Sequence, residues 1–144
     1  MYNFVWLNDK AMKPYIRKVN YYECDRMGVT HHSNYVRYME EARIAFLDDL
    51  GYGYERMEAE GVTSPVVSLE VKYLKPSTFA DVISIQVSVA DLTPLKLTFS
   101  YAMMLDGQVI FTGRSTHCFI ENGRPVVIAD RFPELAARLK ASEE

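Results

Sequence analysis

The sequence has little cysteine, no excess of basic charge and no long apolar run, and each lack excludes a class of protein. The two cysteines, Cys24 and Cys118, are too few for a disulfide scaffold and do not have metal-ligand spacing. The net charge is −3, whereas proteins that bind the phosphate backbone of nucleic acids have a basic surface, so no nucleic-acid partner is expected. No apolar run approaches the roughly 18 residues that cross a bilayer, so no membrane partner is expected.

The amino-terminal region also lacks the basic start, apolar middle and small-residue cleavage site of a signal peptide, so a cytoplasmic location is expected. No internal repeat, low-complexity stretch or linker rich in Gly, Ser or Pro divides the chain. The 144 residues, 49% of them apolar, are therefore predicted to form one domain over 1–144, with residues 1–13 as a loose arm.

Apolar residues that recur every three or four positions predict a long helix in the first third of the chain. The stripe consists of Tyr35, Tyr38, Met39, Ala42, Phe46 and Leu50. Ser33 or Asn34 is expected to cap the start of this helix, and Gly51 to end it. A shorter helix is predicted over 54–60.

Most of the remaining sequence alternates between apolar and polar residues, which is typical of strands with one buried face. Strands are predicted over 15–22, 67–73, 83–89, 95–103, 109–120 and 125–128, and a terminal helix over 131–140. One long helix covers only one face of such a sheet. We therefore predict an α+β fold in which a five- or six-stranded antiparallel sheet wraps around the helix. Its open edges and outer face favour oligomerisation.

The segment 23–35, between the first strand and the long helix, carries the residues suited to chemistry. The start of a helix has backbone N–H groups without intrahelical partners, and these can hold a developing oxyanion. Asp25 precedes His32 by seven residues, and Gly28 between them allows the chain to fold back. A carboxylate beside oxyanion donors suits attack on an acyl carbonyl, directly or through water. The alternative is that Asp25 only caps a turn and that His32 is a surface residue.

This segment resembles the active-site motif of the hotdog-fold 4-hydroxybenzoyl-CoA thioesterase family. The matching residues are Cys24, Asp25, Gly28, Val29, His32 and Tyr35. A second stretch, from Ser64 to Val82, resembles the strand that follows the helix in that family, and the resemblance covers roughly 15–135. It implies a hotdog fold and an enzyme that hydrolyses acyl-CoA to free acid and CoA.

The resemblance also implies roles for individual residues. Asp25 is expected to be the nucleophile or general base, while the N–H of His32, helped by that of Ser33, polarises the thioester carbonyl. The residues expected to bind substrate are Gly28, Tyr35, Ser64, Pro65 and Val66. The last three are expected from the partner chain of a homodimer or homotetramer whose active site lies at the subunit interface. No metal and no cofactor other than the CoA of the substrate are implied.

Other interpretations stay open from the sequence. A hotdog hydratase or dehydratase acting on enoyl-CoA is one, although the seven-residue spacing counts against it. A non-catalytic acyl-CoA or fatty-acid binding module is another, and an acyl carrier protein is an alternative carrier of the acyl group. His31 and His32 are expected to point apart in an extended loop, which disfavours a metal site. His117 is expected to be a packed or surface histidine, and Glu40 and Arg43 to form a local ion pair.

Overall fold

The computed structural model describes residues 13–144, so nearly all of the predicted arm over 1–13 lies outside the described residues. The strands in chain order are β1 (Tyr15–Lys18), β2 (Val62–Thr63), β3 (Val66–Tyr73), β4 (Val82–Leu92), β5 (Leu97–Leu105), β6 (Gln108–His117), β7 (Ile120–Glu121) and β8 (Arg124–Pro125). The helices are α1 (His32–Asp49), α2 (Tyr54–Ala59), α3 (Ile128–Arg131) and α4 (Pro133–Ala141).

Five strands form one antiparallel sheet in the order β1-β4-β5-β6-β3. The alternation seen in the sequence gives each central strand a buried face. Ile83 and Ile85 of β4 and Met103 of β5, for example, have no exposed area. The helix α1 packs on this face through the predicted apolar stripe, with Tyr38 and Met39 fully buried. One long helix against a five-stranded antiparallel sheet is the hotdog architecture, so the predicted α+β fold is confirmed.

The start of α1 differs from the prediction. The N-cap is His31, not Ser33 or Asn34, and the His31 Nδ1 accepts the N–H of Ser33 at 3.2 Å. At the other end, Gly51 has a φ of 83°, a left-handed conformation that glycine tolerates and that ends the helix as predicted.

The first strand is shorter than predicted because a local cap ends it. β1 stops at Lys18, and Tyr21–Glu23 form a 3₁₀ turn in place of a strand. The carboxylate of Glu23 accepts the backbone N–H of Asn20 at 2.8 Å, which turns the chain away from the sheet. Tyr21 and Tyr22 consequently lie on the surface, 78% and 82% exposed.

The chain after β6 also departs from the prediction. The predicted strand 109–120 ends at His117, and β7 belongs to a small second sheet of order β2-β7-β8. The predicted terminal helix over 131–140 is α4, which begins at Pro133, a residue without an N–H to donate. The predicted strand over 125–128 ends at Pro125, and the short helix α3 follows it. No helix among residues 13–144 is long and apolar enough to cross a membrane.

Candidate active site

Residues 23–31 fold into a tight hairpin that carries Asp25 near its tip. Cys24 and Thr30 pair as an antiparallel bridge, and the Asp25 N–H donates to the carbonyl of Val29 at 2.8 Å. Gly28 has a φ of 83°, and its N–H donates to the Asp25 carbonyl at 2.9 Å. The chain therefore folds back at Gly28, as the sequence predicted.

The Asp25 side chain is oriented by its own hairpin. Its Oδ1 accepts the N–H of Met27 at 2.8 Å and that of Val29 at 3.4 Å. Asp25 thus caps a turn, yet it is only half-buried and borders a cleft of about 350 Å³ together with Cys24, Thr78 and Phe79. The turn-capping alternative and a chemical role are therefore compatible, since the hairpin holds the carboxylate at an open cleft.

One free N–H lies at the start of α1. The His31 N–H donates to the Glu23 carbonyl at 2.8 Å, and the Ser33 N–H is taken by the side chain of His31. The N–H of His32 makes no hydrogen bond within residues 13–144, while the hydroxyl of Tyr73 donates to the His32 carbonyl at 2.9 Å. Of the two amides expected to hold an oxyanion, that of His32 alone has no partner in the part of the chain that the structure describes.

The expectation that His31 and His32 point apart is wrong. Both belong to the helix start and not to an extended loop, so their rings stack, with centroids 4.2 Å apart. Within residues 13–144 no group of three or more His, Cys, Asp or Glu side chains is placed to hold a metal ion.

The expected substrate-binding residue Val66 lies in a different cleft from Asp25. This second cleft, of about 140 Å³, lies between α1 and β3, and Met39, Glu40, Arg43 and Leu69 also border it. The predicted ion pair between Glu40 and Arg43 is present at 3.9 Å. Neither cleft is lined by His32, Tyr35, Ser64 or Pro65. Within one chain, Asp25 and Gly28 share the first cleft, and the other predicted site residues are not gathered with them.

Tyr35 anchors the hairpin to the core. It is 3% exposed, its ring stacks on that of Phe111 at 5.2 Å, and its hydroxyl bonds the Ser77 Oγ at 2.7 Å. Ser77 also bonds the hydroxyl of Thr30 at 2.6 Å, and its carbonyl accepts the Thr30 N–H. Sequence reasoning missed Ser77, since a serine before a strand carries no signal of a contact with a distant loop.

Glu23, also missed, is a buried carboxylate at the base of the hairpin. Arg17 binds it through two hydrogen bonds of 2.7 and 3.0 Å, and Tyr38 donates to it at 2.7 Å. Burial opposes ionisation of Glu23. The hydrogen bonds from the Asn20 N–H, Tyr38 and Arg17 outweigh that effect and hold the pKa of Glu23 below its ordinary value.

A chain of buried polar groups runs from the second cleft into the core. Arg43 donates to the hydroxyl of Tyr101 at 3.0 Å, Tyr101 bonds Ser115 at 2.6 Å, and Ser115 bonds the Nε2 of His117 at 2.8 Å. Burial and the nearby charge of Arg43 lower the pKa of His117 to about 4, and the Ser64 backbone offsets this only in part. His117 is thus a packed, neutral histidine, as predicted.

Comparison with known proteins identifies the family. The family model for the thioesterase-like superfamily matches residues 19–139. A protein of Bacillus subtilis (strain 168), named "Putative acyl-CoA thioesterase YneP", is 32% identical over 120 residues, which are 81% of this chain and 87% of that protein. The crystal structure of TT1821 from Thermus thermophilus is similar with a TM-score of 0.85 at 32% identity, covering 92% of this chain and 100% of that one.

The structure of a DHNA-CoA thioesterase from Staphylococcus aureus is similar with a TM-score of 0.84 at 27% identity, covering 90% of this chain and 91% of that one. These relatives confirm the predicted hotdog fold and thioesterase class. The narrower resemblance to the 4-hydroxybenzoyl-CoA thioesterases stays a prediction. The chain belongs to the thioesterase-like superfamily.

Proposed function

We propose that this chain hydrolyses acyl-CoA thioesters, with Asp25 as nucleophile or general base and the His32 N–H as oxyanion donor. The observation that carries the proposal is the hairpin 23–31. It holds the Asp25 carboxylate at a cleft and leads directly into the free N–H at the start of α1. Relatives named as acyl-CoA thioesterases support the choice of substrate.

In the reaction, Asp25 either attacks the thioester carbon itself or takes a proton from a water molecule that attacks it. The carbonyl electrons move onto oxygen, and the N–H of His32 donates to that oxyanion at the positive end of the helix dipole. When the carbonyl re-forms, the C–S bond breaks and CoA leaves as a thiolate. In the direct route, water then hydrolyses the mixed anhydride on Asp25 and releases the acid.

A subunit interface completes the site in this proposal. Ser64 and Pro65 immediately precede β3, an edge strand of the sheet that begins at Val66, and Val66 borders the second cleft rather than that of Asp25. A homodimer or tetramer in which this edge meets another copy brings the partner's strand to the acyl group. Edge strands with exposed apolar residues favour such pairing.

Replacement of Asp25 tests the proposal. Asp25→Asn keeps the shape and the contacts with the loop amides but removes the basic and nucleophilic oxygen. We expect turnover, measured as thiol released from a panel of aliphatic and aryl CoA thioesters, to fall by at least about 100-fold. The matched control is Asp106→Asn, at the exposed turn between β5 and β6, which should retain wild-type turnover.

Other outcomes of the same assay have distinct meanings. Turnover by Asp25→Asn within about threefold of wild type would contradict the role of Asp25. Enoyl absorbance without free thiol would indicate a hydratase or dehydratase. Saturable binding of acyl-CoA by the wild-type protein, with no thiol released from any thioester, would indicate a binding module.

A further inference from the structure

Glu23 joins three elements at the base of the hairpin that carries Asp25. Its side chain, 5% exposed, binds Arg17 of β1 through both oxygens and accepts the hydroxyl of Tyr38 from α1. It also accepts the backbone N–H of Asn20 at 2.8 Å. These four hydrogen bonds fix the position and the orientation of the Glu23 carboxylate.

The backbone of Glu23 holds the far side of the same hairpin. Its carbonyl accepts the His31 N–H at 2.8 Å and the side-chain amide of the buried Asn34 at 2.9 Å. Asp25 comes two residues after Glu23, and His32 comes one residue after His31. Glu23 therefore clamps both ends of the segment that separates the carboxylate from the free amide.

We infer that Glu23 is a positioning residue, which holds the hairpin so that the Asp25 carboxylate and the His32 N–H face the same thioester carbonyl. The inference rests on the proposed function. Its physical basis is the sensitivity of an oriented reaction to small displacements, since a shift of about 1 Å in a reacting group can cost about 100-fold in rate. Charge-assisted hydrogen bonds to Arg17 give this clamp its stiffness.

Glu41 supplies a matched control. It binds the same guanidinium, with Arg17 Nε donating to its Oε1 at 2.8 Å, but it lies on α1, and its other hydrogen bond is with the hydroxyl of Tyr15 in β1 and not with the hairpin. Glu23→Gln and Glu41→Gln thus make the same chemical change beside the same arginine. Only the first loosens the hairpin.

The experiment measures kcat and KM for a hydrolysed CoA thioester, with thermal unfolding as the check of folding. Glu23→Gln should lower kcat by about 10- to 100-fold with KM nearly unchanged, while Glu41→Gln should stay close to wild type. In an Asp25→Asn background, Glu23→Gln should lower the residual rate by less than it does in the wild type, because only the alignment of the His32 N–H is then left to lose.

Two results would overturn the inference. One is a kcat for Glu23→Gln equal to that of Glu41→Gln. The other is an equal loss of rate in the wild-type and Asp25→Asn backgrounds, which would show a general effect on the fold. If Glu23→Gln does not fold, Tyr38→Phe replaces it in the test, since this variant removes the hydroxyl that donates to Glu23 and keeps the ion pair between Glu23 and Arg17. A kcat of Tyr38→Phe equal to that of the wild type would contradict the inference.

The failure of this inference is distinguishable from that of the proposed function. Full turnover by Asp25→Asn contradicts the proposed function itself. An inactive Asp25→Asn together with a fully active Glu23→Gln contradicts the positioning role alone.

Discussion

His117 shows how a single buried side chain makes stability depend on pH. It has no exposed area, and its pKa of about 4 is lower than the ordinary value of 6.5 because burial and Arg43 disfavour the charged ring. Between about pH 4 and pH 6.5, His117 is therefore protonated in the unfolded chain and neutral in the folded chain. The free energy of unfolding therefore falls as the pH drops from about 6.5 to about 4, by up to about 3 kcal/mol.

Replacement of His117 should flatten this dependence. His117→Gln is expected to be less stable than wild type at pH 7.5, because Ser115 loses its hydrogen bond with the His117 ring, but to lose less further stability between pH 6.5 and 4. Denaturant unfolding at several pH values measures both quantities, and His32→Gln, on the exposed surface, is the control. An equal decrease in the free energy of unfolding for wild type and His117→Gln would contradict the assignment.

Single residues also show what the sequence can and cannot predict about the site. Asp25 and Gly28 were predicted because they lie in the loop that joins a strand to the start of a helix, and because their spacing resembles a known motif. Glu23 and Ser77 were not found. Their meaning depends on partners brought together by the fold, such as Thr30 and Ser77, which are 47 positions apart.

At the scale of elements, α1 and the five main strands were predictable because burial imposes a local period of 3.6 or 2 on the sequence. The second sheet was not predictable. Its strands have two residues each, too few for a period, and Val62 pairs with Glu121, which lies far from it in the sequence. The early end of β1 was missed for a related reason, since a cap by Glu23 has no periodic signal.

The contact between α1 and the sheet depends on Gly113 of β6. A Cβ there would lie 3.1 Å from the Met39 Cε, 3.1 Å from the Phe111 ring and 3.3 Å from the Glu70 carbonyl oxygen. The methionine can move, but the carbonyl belongs to the neighbouring strand and cannot do so without disturbing the sheet. Glycine at this position therefore lets the helix lie close to the strands.

Gly113→Ala should destabilise the protein by about 1–3 kcal/mol, because overpacking forces the helix or a strand to shift. The free energy of unfolding from denaturant titration measures the effect. Ser84→Ala, on the outer face of β4, adds no atoms to the core and should change that free energy by less than about 0.5 kcal/mol. Equal free energies of unfolding for the two variants would show that a methyl group at position 113 fits between α1 and the sheet.

For the whole molecule, the two edges of the main sheet differ in a way that favours association through β3. The other edge, β1, has only four residues, and short edge strands resist pairing. The edge strand β3 has eight residues and exposes apolar side chains, with Val66 and Val67 each 48% exposed and Leu69 42% exposed. Since β3 begins with Val66, one of the residues expected to bind substrate, association there would place that residue at the interface between two copies.

Val67→Glu tests this association, because symmetry across a twofold interface would place the new carboxylates near one another. We expect sedimentation to show a smaller assembly and turnover to fall by at least about tenfold, since each site would lose the partner's strand. Val109→Glu, at a similarly exposed valine of β6, should change neither. A Val67→Glu protein that sediments as a monomer and keeps full turnover would show that one chain contains the whole site.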